Sequence, residues 1–210
     1  MIQNVHQLKI SPKSDVSIKR FPTFSPRVTN ARIKVICGPM FSGKTKSLIA
    51  AVEEEKSKGK TVFVFKPQLD DRYAEEAIVS HDKDEVHAFN VSRPVEILDT
   101  YLNADVIAID EVQFFDESII EITRKIANNG KSVILAGLDL DYRAEFFGSM
   151  PSLLAIADEV VKLNSVCTFC SGRARFSHRI SKDDGVVVLG EKDKYVPLCR
   201  SCYVELSEKV

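Results

Sequence analysis

No apolar run in this 210-residue sequence approaches the roughly 20 residues needed to span a bilayer, so the sequence offers no transmembrane segment. The N-terminus lacks the apolar core of a secretory signal, which predicts a protein that is not exported. An excess of one charge is missing too: 29 Lys and Arg stand against 30 Asp and Glu, for a formal net charge of −1. The chain therefore has no global basic field to draw in nucleic acid. Cysteine is sparse, with five residues, four of them in two C-x-x-C pairs and Cys37 alone. An odd count in a chain without an export signal argues against a disulfide framework and for a reducing, cytoplasmic location. What remains is ordinary for a globular protein, 44% hydrophobic and 28% charged, and long enough for one good core and a small appended module.

Gly38-Pro39-Met40-Phe41-Ser42-Gly43-Lys44-Thr45 fits G-x-x-x-x-G-K-[ST], the loop that cradles nucleotide phosphates. The glycines let the backbone turn sharply and aim several N–H groups at one anion. Lys44 can reach the terminal phosphates, and the Thr45 hydroxyl can ligate Mg²⁺. With glycine at about 7% of average usage, a chance match arises about once per hundred chains of this length. Context sharpens the assignment: Ile33–Cys37 reads as a buried strand and Lys44–Ser57 as a helix, the strand–loop–helix order this motif requires.

Residues 1–30 differ from the rest. They hold Pro12, Pro22 and Pro26, several serines, and Lys9, Lys13, Lys19, Arg20 and Arg27 against the single acid Asp15, with no sustained period. They read as a disordered tail; an organelle-targeting segment is the alternative, weakened by the lack of an amphipathic Arg face. From Arg32 onward apolar strands alternate with amphipathic helices. Strands are expected at Thr61–Phe65, Val106–Asp110 and Ser132–Gly137, a short helix at Pro94–Leu102, and a longer one at Asp116–Asn129, capped by Asp116 and closed by Gly130. Such a rhythm predicts an α/β fold with a parallel sheet covered on both faces, its site at the strands' carboxyl ends. The phosphate loop and Asp110 both fall there. After about Val161 the rhythm gives way to cysteine pairs, polar turns and a β-type run, Gly185–Gly190.

Asp110 follows an apolar strand, the arrangement in which a carboxylate holds Mg²⁺. Glu111, one residue on, can face the space beyond the γ-phosphate and take a proton from the attacking oxygen. If that oxygen is water's, the protein is an ATPase; if it is a substrate hydroxyl's, it is a kinase. Local sequence leaves both open. Gln113-Phe114-Phe115 places aromatics beside the acid, which suits a flat ligand and suits core packing equally.

Cys167-x-x-Cys170 and Cys199-x-x-Cys202 are two thiolate knuckles with 28 residues between them. Together they supply the four sulfurs of a tetrahedral Zn²⁺ site in a zinc ribbon, with paired redox dithiols as the competing reading. Four cysteine ligands leave no open position, so this metal builds structure, and it offsets the small core of a unit of about 40 residues. Arg173, Arg175, His178, Arg179 and Lys182 with Phe176 would suit nucleic acid, but Asp183, Asp184, Glu191 and Asp193 balance them, and a solvated loop is the expected reading. A P-loop ATPase carrying a nucleic-acid module is the runner-up function.

These motifs, together with Phe65-Lys66-Pro67, Asp70-Asp71-Arg72-Tyr73, Gly137-Leu138-Asp139 and Asp193-Lys194-Tyr195, resemble the type II thymidine kinases over about Arg32–Tyr203. The resemblance implies a RecA-like P-loop domain over 31–163 and a zinc-ribbon lid domain over 164–205. It implies transfer of the ATP γ-phosphoryl group to the 5′-hydroxyl of thymidine, with deoxyuridine as a second substrate. A homotetramer, feedback inhibition by thymidine triphosphate, structural Zn²⁺ and Mg²⁺ with ATP are also implied, with no nucleic-acid or membrane partner. Residue by residue, Glu111 takes the position of the general base. Gly38, Pro39, Met40, Phe41, Ser42, Gly43, Lys44, Thr45, Asp70, Arg72 and Asp110 surround the phosphates, with Thr45 and Asp110 on Mg²⁺. Met40, Gln113, Phe114, Leu138, Tyr142 and Phe147 form the nucleoside pocket, and Tyr195 with Val186, Val187 and Val188 the lid segment over the base. Tyr142 stands where the family often has Phe, within a variable loop, Leu140-Asp141-Tyr142-Arg143. The first 30 residues have no counterpart in the family core.

Overall fold

The computed structural model describes residues 31–68, 77–79, 85–180 and 194–207. The expected N-terminal tail, Asp70, Arg72, Lys182 and the Val186–Val188 segment lie outside the described residues.

Strand β1 (Ile33–Cys37) runs into the phosphate loop and helix α1 (Lys44–Ser57), both at the bounds the sequence predicts. Strand β2 (Val62–Pro67) ends two residues later than expected. It is drawn out by a parallel edge strand, β5 (Phe89–Val91), which pairs Lys66 with Asn90 and Pro67 with Val91. A short antiparallel hairpin, β3 (Ala77–Val79) with β4 (Glu85–His87), precedes that edge strand. The helix expected at Pro94–Leu102 is instead two 3₁₀ pieces, Pro94–Asp99 and Tyr101–Asn103, parted at Thr100, whose φ of −122° leaves the helical range.

β6 (Val106–Ile109) leads to Asp110, and α2 (Ser118–Asn128) follows a 3₁₀ turn at Val112–Phe114. Asp116 still caps this helix from outside, its Oδ1 accepting the Ser118 N–H at 2.8 Å. β7 (Ser132–Gly137), α3 (Met150–Ile156) and β8 (Glu159–Lys162) complete the unit. The sheet order is β5-β2-β6-β7-β1-β8 and every pairing in it is parallel.

Alternate residues of the strands feed two cores. Val35, Phe65, Ile107, Ile109, Val133 and Leu135 pack toward α2 and α3 through Ile119, Ile122, Ile126, Met150 and Leu153. Ile36, Val64, Val106, Ala108, Ile134 and Ala136 pack on the other face against Leu48, Ile49 and Val52 of α1 and against Ile78 and Val86 of the hairpin. The central strands β1, β6 and β7 are buried on both faces, which is why they read as apolar runs.

Beyond β8 the chain forms two small antiparallel pairs, β9 (Ser165–Val166) with β10 (Arg173–Ala174) and β11 (Phe176–Arg179) with β12 (Tyr195–Leu198), and then α4 (Arg200–Ser207). Their own core is slight, built on Cys167, Ala174 and Leu198. Among the described residues no helix is long and apolar enough to cross a membrane.

Candidate active site and metal centre

The carboxyl ends of β1, β6 and β7 bring the chemistry together. Gly38 adopts φ +150°, and a Cβ there would sit 2.7 Å from the Leu163 carbonyl oxygen, so only glycine lets the loop leave β1 at this point. Two hydroxyls fasten the loop to the cysteine-bearing unit: Ser177 Oγ accepts the Met40 N–H at 2.9 Å, and Ser165 Oγ donates to the Phe41 carbonyl at 3.0 Å. Within the loop, Ser42 Oγ is buried without a hydrogen-bond partner. A buried hydroxyl left without a partner inside this glycine-bearing loop fits a site for an anion such as a phosphate.

Lys44 is buried and its Nζ donates to the Pro39 carbonyl at 3.0 Å. Burial holds its proton affinity below the ordinary lysine range, against the pull of Glu111, Asp110 and Asp139. Asp110 is buried as well. Burial first and the Glu111 charge second push its carboxyl up to about 7, while the Glu111 N–H, Thr45 and Lys44 act the other way. Thr45 Oγ1 donates to Asp110 Oδ2 at 3.1 Å, so a hydroxyl and a carboxylate converge as the donor set of a hard cation requires. The buried carboxyl, short of positive charge, fits that reading.

Glu111 follows in the left-handed region, φ 51° and ψ 37°, with its N–H donated to Asp110 Oδ1 at 3.0 Å. Gln113 donates to Glu111 Oε2 at 2.6 Å and accepts the Leu138 N–H at 3.0 Å. Phe114 meets Phe147 edge to face, centroids 5.5 Å apart, whereas Phe115 is buried in the core, so core packing accounts for Phe115. Met40, Leu138 and Tyr142 are half-buried.

Tyr142 lies against the second unit. The Arg179 guanidinium sits 3.7 Å from its ring centroid and donates to Tyr195 Oη at 2.9 Å, while Tyr203 Oη donates to the Tyr142 carbonyl at 3.1 Å. Sequence reasoning placed Arg179 on a solvated loop. In the structure it is buried between two aromatic rings, a correction that follows from partners 37 and 16 positions away along the chain. Ser165, Ser177 and Tyr203 were missed for the same reason: a hydroxyl that bonds across a fold has no local signature.

The Sγ atoms of Cys167, Cys170, Cys199 and Cys202 all lie within 4.8 Å of one another. A tetrahedral metal with M–S bonds of about 2.3 Å sets its sulfurs about 3.8 Å apart, so the cluster can hold a metal ion. The first knuckle is closed by the Ser171 N–H on the Cys167 carbonyl at 2.9 Å and the Cys167 N–H on the Gly172 carbonyl at 2.7 Å. Cys37 stands apart, buried behind the phosphate loop.

Comparison with known proteins places the chain in a family. The family model for thymidine kinase matches residues 31–203. The chain is 49% identical over 173 residues to the thymidine kinase of Bacteroides thetaiotaomicron, covering 82% of this chain and 87% of that one. It is 44% identical over 180 residues to that of Porphyromonas gingivalis, covering 86% and 88%. Among solved structures, the genome packaging NTPase B204 of Sulfolobus turreted icosahedral virus 2 is a loose likeness, at TM-score 0.43 and 14% identity over 64% of this chain and 75% of that one. The chain belongs to the thymidine kinase family.

Proposed function

We propose that this chain is an ATP-dependent thymidine kinase, moving the γ-phosphoryl group of ATP to the 5′-hydroxyl of thymidine and also of deoxyuridine. Family membership supports the reaction. The observation that carries it in this chain is the convergence of Lys44, Thr45 and Asp110 with Glu111 at the carboxyl ends of β1 and β6.

In this reading the main-chain amides of Gly38–Thr45 and the Lys44 ammonium hold the phosphates. Thr45 and Asp110 would hold Mg²⁺, which neutralises charge on the transferring group. Glu111 accepts the hydroxyl proton as the new P–O bond forms. Met40, Phe114, Leu138, Tyr142, Phe147 and Tyr195 line the nucleoside side, and the Cys167, Cys170, Cys199 and Cys202 cluster takes zinc in a structural role. Contacts from Tyr203 and Arg179 to Tyr142 close the second unit over that side and exclude water, so that the sugar hydroxyl and not water attacks. The family reading extends to a homotetramer, to inhibition by thymidine triphosphate and to the cytoplasm.

The test is an assay of the purified chain with ATP, Mg²⁺ and each nucleoside in turn. Thymidine monophosphate should form in step with ADP. ADP formed at the same rate without any nucleoside would instead make the chain an ATPase.

A further inference from the structure

Gln113 is 2% exposed, and its carboxamide has one donor end and one acceptor end. The Leu138 N–H can only donate, so the amide oxygen must face it, at 3.0 Å. The amide nitrogen is thereby turned to Glu111 Oε2, at 2.6 Å, a short charge-assisted contact. The chain closes around this side chain through glycine. A Cβ on residue 137 would come within 2.6 Å of Gln113 Oε1, and one on residue 148 within 2.4 Å of the Gln113 carbonyl oxygen. Glu111 itself is held from the other side, where its N–H meets Asp110 Oδ1.

We propose that Gln113 is a positioning residue, which fixes the Glu111 carboxylate to the main chain at the end of β7 so that the base and the Leu138 wall of the nucleoside site keep one geometry. One end of its carboxamide bonds Glu111 and the other Leu138, so the positioning acts through Glu111. The inference rests on Glu111 being the base, and it adds a reason for Gly137 and Gly148.

A double-mutant cycle on turnover tests it, using Gln113→Met, Glu111→Gln and the pair. Gln113→Met keeps length and burial and removes both polar partners. Its kcat should fall about tenfold, the scale of one charge-assisted hydrogen bond, with the KM for ATP within about twofold. In the Glu111→Gln background the same change should alter kcat by less than about twofold, because residues that act as one unit do not add. Equal losses in both backgrounds, or no loss in either, overturn the positioning role while leaving the base intact. Near wild-type turnover in Glu111→Gln overturns the base reading and this inference with it. Gly137→Ala supplies a second route, since its Cβ presses hardest on the amide oxygen, and less closely on Met150 and Val112, without altering Gln113; its kcat loss should likewise vanish when Glu111 is Gln, and persistence of the loss counts against the proposal.

Discussion

Thr45 Oγ1 donates to Asp110 Oδ2 across 3.1 Å, joining the first turn of α1 to the tip of β6, although β7 lies between β6 and β1 in the sheet. The contact binds two sequence motifs 65 residues apart into one cation-binding edge. It also leaves a buried carboxyl whose charge the protein alone satisfies poorly.

That carboxyl gives a pH dependence. Asp110 binds its proton up to about 7 in the fold, against 3.8 for a free aspartate, so the folded state holds more protons than the unfolded one between these values. Stability of the nucleotide-free protein should therefore fall as pH rises from about 4 to about 7, by on the order of a few kcal/mol from this group. Asp110→Asn should flatten that decline, melting at higher temperature than wild type at pH 8 and near it at pH 4. Thermal melts across the range check this; equal slopes for both proteins would contradict it.

The cysteines should titrate in two classes. Burial, with the Asp139 charge beside it, pushes the Cys37 thiol up to about 11, and it is fully enclosed. Chelation under reducing conditions should open the slight core that encloses Cys167, so that four thiols react with an aromatic disulfide reagent while Cys37, held in the main sheet, reacts only in denaturant. A fifth thiol reacting at the same rate in the folded state would be inconsistent with this burial. Metal released in step with the four would tie them to one ion.

Arg179 should matter for the nucleoside and not for ATP. Its guanidinium packs on Tyr142 and bonds Tyr195, an arrangement a lysine does not reproduce. Arg179→Met and Arg179→Lys should each raise the KM for thymidine about tenfold, from about 1–2 kcal/mol of lost contact, with little change in the KM for ATP. Tyr203→Phe, which removes one hydroxyl from the Tyr142 carbonyl, should do so more weakly. Equal effects on both substrates would place these residues in general stability instead.

Much of this was legible in the sequence because the site lies where patterns are local. The phosphate loop and α1 came out at their observed bounds, since Gly38, Gly43, Lys44 and the Leu48-Ile49-Val52 stripe are fixed by near-neighbour geometry. The parallel sheet followed from strands apolar on both faces. Short, half-exposed elements did not. β5 and β8 lie at the sheet edges, where only one side is paired and the apolar signal is thin. The 3₁₀ pieces at Pro94–Asp99 and Tyr101–Asn103 read as one helix because Thr100 carries no breaker signal. Contacts made over long separations, Met40 with Ser177 or Arg179 with Tyr142, left no trace in any window of the chain.

The most direct measurement is transfer of labelled γ-phosphate from ATP to thymidine by the wild-type protein and Glu111→Gln, with ATP affinity measured alongside. A positioned base contributes about 10²–10⁴ in rate. The variant should bind ATP within a few-fold of wild type and lose turnover by a factor in that range. Label carried to thymidine at an undiminished rate by the variant would contradict the assignment of Glu111 as the group that takes the hydroxyl proton.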